Sequence, residues 1–232
     1  MTSDDRHDEA YVWIWLPGEE EPVVAGRLEK DGERLIFAYG RSYLERDNAI
    51  PIYEPELPLR RGTIQPLTGL SMPSCIRDAA PDAWGRRVIV NRKLGLKGDQ
   101  IDPAQFDELT FLLESGSDRI GALDFQHSAT EYVPRGGGTA KMEELLSVAD
   151  RVEAGTPITP ELNQALFHGS SIGGARPKAT IETDGKKYIA KFSSNNDVFN
   201  VVKGEFVSMR LAAHIGLNVA PVELKRAAGR DV

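Results

Sequence analysis

The chain has 232 residues, 41% of them hydrophobic and 27% charged, with a formal net charge of -7. This is the composition of an ordinary soluble protein with room for one sizeable core or two small ones; it offers no apolar run for a bilayer span and no basic excess for broad nucleic-acid binding. The single cysteine, Cys75, leaves no intrachain disulfide and suits a reducing cytoplasm.

In chain order, residues 1–10 form an acidic tail without the apolar stretch of a signal peptide. Residues 1–60 carry 14 Asp and Glu against 7 Lys and Arg, and the remainder balances at 21 against 21, so any charge-steered partner of the first segment is expected to be basic. Within 11–70 the β-rich runs YVWIWL, VVAGRL, RLIFAY and the Tyr43-Leu44 segment predict a small antiparallel sheet, with turns at Asp31-Gly32 and Asp47-Asn48. Trp13, Trp15, Phe37 and Tyr39 are its expected core.

From Pro73 the pattern turns helical. Pro81 opens a turn containing Asp82, and Trp84, Val88 and Ile89 recur at helical spacing up to Leu94. A second helix is expected over Pro103 to Glu114, with Phe106, Leu109, Leu112 and Leu113 inward. Residues 128–140 read as a loop with three glycines. Met142, Leu145, Leu146, Ala149 and Val152 then mark an amphipathic helix that stops near Gly155. Thr159-Pro160-Glu161 caps a short helix leading to Phe167 and His168.

The chemistry concentrates between Gly169 and Lys191. Ser170, Ser171, Gly173 and Gly174 form a loop whose hydroxyls and unobstructed backbone N–H groups suit phosphate oxygens. A tight turn at Asp184-Gly185 joins two strands, and the second places Ile189 and Lys191 on one face, with Tyr188, Ala190 and Phe192 on the other. Glu205 opens the helix from Val202 to His214. A glycine-rich loop, a strand lysine and a helix glutamate in that order follow the logic of a kinase nucleotide site, where the lysine pairs with phosphates and with the glutamate. No Walker A sequence and no Gly-x-Ser-x-Gly elbow is present. The four histidines show no metal-ligand spacing, and no metal site is expected.

The run SSIGGARPKA, then YIAKF, then GEFVSMRLAAHIGLNVAPVEL resembles the HipA-type serine/threonine kinases, toxins of bacterial toxin–antitoxin pairs. Gly26-Arg27-Leu28, Phe37-Ala38-Tyr39, ELPLR at Glu56 to Arg60, Pro81-Asp82-Ala83-Trp84-Gly85-Arg86 and Gly121 to Phe125 extend the resemblance into the first half. It implies an α+β fold, a β-rich N-terminal subdomain (11–125) and a helical connector (126–168), followed by a protein-kinase-like N-lobe (169–232) of antiparallel sheet plus one helix. It also implies that Ser171 is autophosphorylated, that Lys191 binds ATP and that Lys178 closes the loop motif. The full set expected at the nucleotide is Ser170, Ser171, Ile172, Gly173, Gly174, Lys178, Ile189, Lys191 and Glu205.

On the same resemblance ATP and Mg2+ are the cofactors of the complete protein, a protein hydroxyl is the substrate and a HipB-like antitoxin is the partner. Only KRAAGRDV follows Pro221-Val222-Glu223-Leu224, the expected last strand of this lobe, where the family continues into catalytic and metal-binding aspartates. The chain is therefore expected to be a truncated kinase, inactive alone, with weak or no ATP binding. A non-catalytic module that binds the antitoxin is the alternative reading, and a metabolic kinase of the same fold a third.

Overall fold

The computed structural model describes residues 7–94, 106–136, 140–159, 162, 167–168, 171–194 and 196–232. The alternation of the early runs becomes a meander of three antiparallel strands, β1 (Glu9–Ile14), β2 (Val23–Asp31) and β3 (Arg34–Tyr39). The short β4 (Thr63–Ile64) joins one edge and β5 (Leu123–Gln126) the other, so the order is β4-β3-β2-β1-β5. A bulge between Val12 and Trp13 shifts the β1–β2 register, which lets Val12, Trp13 and Ile14 all be buried. Gly26 has no room for a side chain, since a Cβ there would lie 2.6 Å from the Phe37 ring.

The core under this sheet gathers Val12, Leu28, Phe37 and Phe125 with Ile76 of α2 (Ser74–Ala79) and Leu109 and Leu112 of α4 (Glu108–Glu114). Asp107 caps α4 by accepting from Thr110 N–H at 2.8 Å. Trp13, Phe37 and Tyr39 are buried as expected, whereas Trp15 is half-buried and meets Tyr132 edge-on at 5.4 Å. Tyr43 and Leu44 are not a strand. They end the four-residue helix α1 (Arg41–Leu44), with Tyr43 stacked on Tyr39 and donating to the Ile50 carbonyl at 2.8 Å. Two apolar residues are too few to display a period of two, and the stacked tyrosines decide the matter instead.

Beside the β-sheet core lies a buried charge cluster. The fully buried Asp124 carboxylate accepts from Arg119 Nε (2.9 Å), Arg135 (2.7 Å), Ser117 Oγ (2.7 Å), Tyr132 Oη (3.0 Å) and Gln126 Nε2 (3.0 Å). Burial pulls this carboxyl upward, but the two guanidiniums and the donated hydrogen bonds outweigh it and hold Asp124 below the usual carboxylate range. Burial pushes Arg119 down to about 10, so it stays charged at neutral pH. Arg119 also donates to the Ala79 and Leu112 carbonyls, tying the 115–135 segment to both helices.

The chain divides into two compact units, one of residues 1–81 and 102–135, the other of 82–101 and 136–232. The second has its own core, in which Trp84 and Val88 of α3 (Ala83–Leu94) meet Leu145, Leu146, Ala149 and Val152 of α5 (Met142–Ala154). α5 ends on Gly155 in the left-handed conformation, φ 66. Against these helices lies the hairpin of β6 (Lys178–Thr183) and β7 (Lys186–Lys191). Its turn is Asp184-Gly185 with φ values of 54 and 69, the left-handed pair that a two-residue hairpin loop of type I′ requires.

α6 (Val201–His214) is capped by Asn200, which accepts from Lys203 N–H at 2.9 Å. It was expected to lie against the sheet, but only Val202 is buried, while Val207 and Leu211 remain exposed. The strand expected at Pro221 to Leu224 is absent; Pro221 has no N–H for a ladder. A small hairpin of β8 (Arg226–Ala227) and β9 (Arg230–Asp231) follows, and Ala227 and Val232 enter the second core. Taken broadly, the architecture is mixed α and β with several sheets and helices.

Candidate functional site

The hairpin register decides which side chains can meet a ligand. Ala179 pairs with Ala190 and both are buried, with Phe192 beyond them on the same face. Lys178 pairs with Lys191, so two ammonium groups sit directly across the strands on the opposite face. Like charges in that position repel, and the structure answers with carboxylates: Lys191 Nζ forms a salt bridge with Glu205 on the first turns of α6. Lys178 Nζ turns back to donate to the Gly173 carbonyl at 2.6 Å. Burial and the Lys191 ammonium hold Lys178 below the usual lysine range, against the opposing pull of Asp82 and Glu205.

The loop before β6 runs beneath this pair. Gly174 takes φ 98, a conformation that excludes ordinary side chains, and Lys178 Nζ occupies the place where its Cβ would be. A Cβ on Gly173 would lie 2.9 Å from the Asp82 carboxylate. Gly174 is thus favoured by its backbone conformation, and a side chain at either glycine would have to push aside the end of Lys178 or Asp82. On the outer side Arg176 pairs with Asp197, whose carboxyl is held low by that hydrogen bond and by one from the Ser194 N–H.

Of the residues expected at the nucleotide, Ser170 lies outside the described residues. Ser171 and Ile172 are buried, at 9% and 3% exposure; Ile172 therefore anchors the loop rather than facing a ligand. Gly173, Gly174, Lys178, Ile189, Lys191 and Glu205 remain accessible in whole or part, and Ile189 stands on the lysine face with 48% exposure. The sequence reading missed the second carboxylate of the site, Asp82, whose Oδ2 accepts from the Gly174 N–H at 2.6 Å. Ninety-two residues separate the two, and no one-dimensional pattern joins them. The backbone carbonyl of His168 accepts from Thr180 Oγ1 at 3.2 Å. Burial pushes the Cys75 thiol up to about 11, so it has little thiolate at neutral pH.

Among the described residues no group of His, Cys, Asp and Glu is arranged to hold a metal ion, and no helix is long and apolar enough to cross a membrane. Two family models match the sequence. The HipA N-terminal domain model covers residues 14–126, and the HipA-like C-terminal domain model covers residues 170–232. No curated protein matches the chain. The C-terminal match overturns the expectation of a truncated, inactive kinase, because both domains of the family are represented in the chain. The expectation of weak or absent nucleotide binding rested on that truncation and is withdrawn with it.

Proposed function

Because this chain belongs to the HipA family, we propose that its Lys178–Lys191 face binds ATP, as the nucleotide site of a kinase-like fold in a toxin-type protein serine/threonine kinase. The observation that carries the reading is the Lys191–Glu205 pair, whose side chains are 47% and 42% exposed. So exposed a pair contributes only about 0–1 kcal/mol to stability. Its use is to fix the ammonium beside a second, cross-strand ammonium, where the phosphates of a nucleotide would neutralise both.

In this role Lys191 holds the α/β-phosphates, Glu205 aims Lys191, Ile189 offers an apolar surface to the adenine, and Lys178 holds the Gly173 carbonyl and the loop in place. Ser170 and the loop backbone supply further donors on the family pattern. ATP supplies the phosphoryl group when bound, and a protein hydroxyl would receive it. No described carboxylate cluster fits Mg2+, and no step is assigned to the ion. Ser171 is the proposed site of regulatory phosphorylation; with only 9% exposure, its hydroxyl must leave the loop's interior to be modified. On the same family grounds the protein partner is a HipB-like antitoxin.

Titration calorimetry with Mg-ATP tests the nucleotide site. Lys191→Ala is expected to weaken binding about 10- to 100-fold, the equivalent of one charged hydrogen bond of about 1.5–3 kcal/mol. Equal affinity in the wild type and the variant would remove Lys191 from the site.

A further inference from the structure

We propose that Asp82 is the positioning residue of the glycine loop, a latch that fastens Gly174 to the first turn of α3 so that the loop meets phosphate already ordered; this rests on the nucleotide reading above. Both backbone groups of Gly174 are tied to that turn. Its N–H donates to Asp82 Oδ2 at 2.6 Å, and its carbonyl accepts from the Trp84 N–H at 3.0 Å. Two more bonds extend the clamp along the chain. The Arg87 guanidinium donates to the Ala175 carbonyl, and Trp84 Nε1 donates to the Lys178 carbonyl at 3.0 Å.

The platform is firm because Trp84 and Val88 are anchored in the second core, at 2% and 1% exposure. Among the described residues of the loop, Ser171, Ile172 and Pro177 are buried, whereas Gly173 to Arg176 between them are exposed or half-exposed. Asp82 is itself placed by the helix, since its carbonyl accepts the first helical bond from the Arg86 N–H at 2.9 Å. A carboxylate here has a second effect. It satisfies the Gly174 N–H internally, so that donor is not among those offered to phosphate while the latch is closed. It also sets a negative charge against Lys178, keeping that ammonium near the loop while Lys191 engages Glu205. Asp82 thus acts through the loop and touches no ligand.

Two variants separate the latch from ordinary helix capping. Asp82→Ser keeps a good N-cap for α3 but is too short to reach Gly174. Asp82→Asn keeps a carbonyl oxygen at the same reach and removes the charge. Amide hydrogen exchange at Gly174, followed by NMR on the ligand-free full chain, reads the latch without nucleotide. Calorimetry with Mg-ATP reads its consequence. Asp82→Ser is expected to speed Gly174 exchange and weaken ATP about tenfold, the equivalent of one hydrogen bond to a charged group. Asp82→Asn is expected to stay within about threefold of the wild type in both. Unchanged exchange in Asp82→Ser overturns the latch whether or not ATP binds. Faster exchange with unchanged or tighter ATP binding overturns its part in nucleotide recognition. If the wild type binds no ATP while exchange responds as expected, the nucleotide reading fails and the latch stands. Thermal unfolding of each variant is followed alongside, and Asp82→Asn carries the charge test should Asp82→Ser lose its fold: ATP binding more than about threefold tighter in Asp82→Asn would make Asp82 a competing anion and overturn the proposal.

Discussion

At Gly174 a single methyl group has two costs. The φ of 98 strains any L-residue, and the place of the new Cβ is held by Lys178 Nζ. Gly174→Ala is therefore expected to lose about 1–3 kcal/mol of stability and to displace Lys178, lowering Mg-ATP affinity more than Lys178→Ala alone; melting and calorimetry on both variants check this. At Ser171 the change is one of charge. Ser171→Asp puts a carboxylate at a buried position in the loop proposed to face the phosphates, where like charges repel in a low dielectric. Calorimetry is expected to show at least about a tenfold loss of ATP affinity, whereas Ser171→Ala should leave it within about threefold, because alanine adds no charge. Lys191 behaves in the opposite manner to a core residue. Lys191→Ala should change the unfolding free energy by no more than about 1 kcal/mol while removing the proposed phosphate contact, and a large destabilisation would show that the pair is structural after all.

At the scale of the element, the Asp124 cluster and α3 are the two fastenings to test. Asp124→Asn leaves the buried Arg119 guanidinium and the half-buried Arg135 without their counter-charge and is expected to cost about 3–5 kcal/mol at neutral pH. Because the folded carboxyl is held below its ordinary range, its contribution is present above the unfolded value near pH 4 and disappears as pH falls through the folded value. The melting temperatures of wild type and Asp124→Asn should therefore converge below about pH 4. Trp84→Ala should cost about 3–5 kcal/mol and loosen the loop as well, since the indole donates to Lys178. The strands β1, β2, β3, β6 and β7 and the helix α5 were legible because their periodicity and turn chemistry agree. Tyr43-Leu44 and Pro221 to Leu224 misled, since segments so short carry no period and their fate depends on distant partners. Nothing in the sequence singles out Arg119, Asp124 and Arg135, because only tertiary structure brings the two guanidiniums onto the buried carboxylate. The candidate site was legible where its order is local, at the loop, the lysine strand and the helix glutamate, and illegible at Asp82, whose partner is close only in space.

For the whole molecule, the informative feature is the order in which the chain builds its two units. The first comprises residues 1–81 and 102–135, and the second takes residues 82–101 before resuming at 136. A polypeptide beginning at Gly136 would lack Trp84 and Val88 from its core. It is expected to lose cooperative unfolding in calorimetry, and adding a peptide of residues 82–101 should restore part of the transition. The same interruption has a consequence in time. Asp82 leaves the ribosome 92 residues ahead of Gly174, which at roughly 5–20 residues per second is an interval of about 5–18 seconds. Throughout that interval Trp84 has none of the hairpin that will cover it, while the first unit can close around its own sheet once Arg135 has followed. The nascent chain therefore carries a helix whose apolar Trp84 and Val88 wait uncovered, as a natural client for a chaperone, and the proposed nucleotide site is assembled last, when the hairpin arrives to receive it.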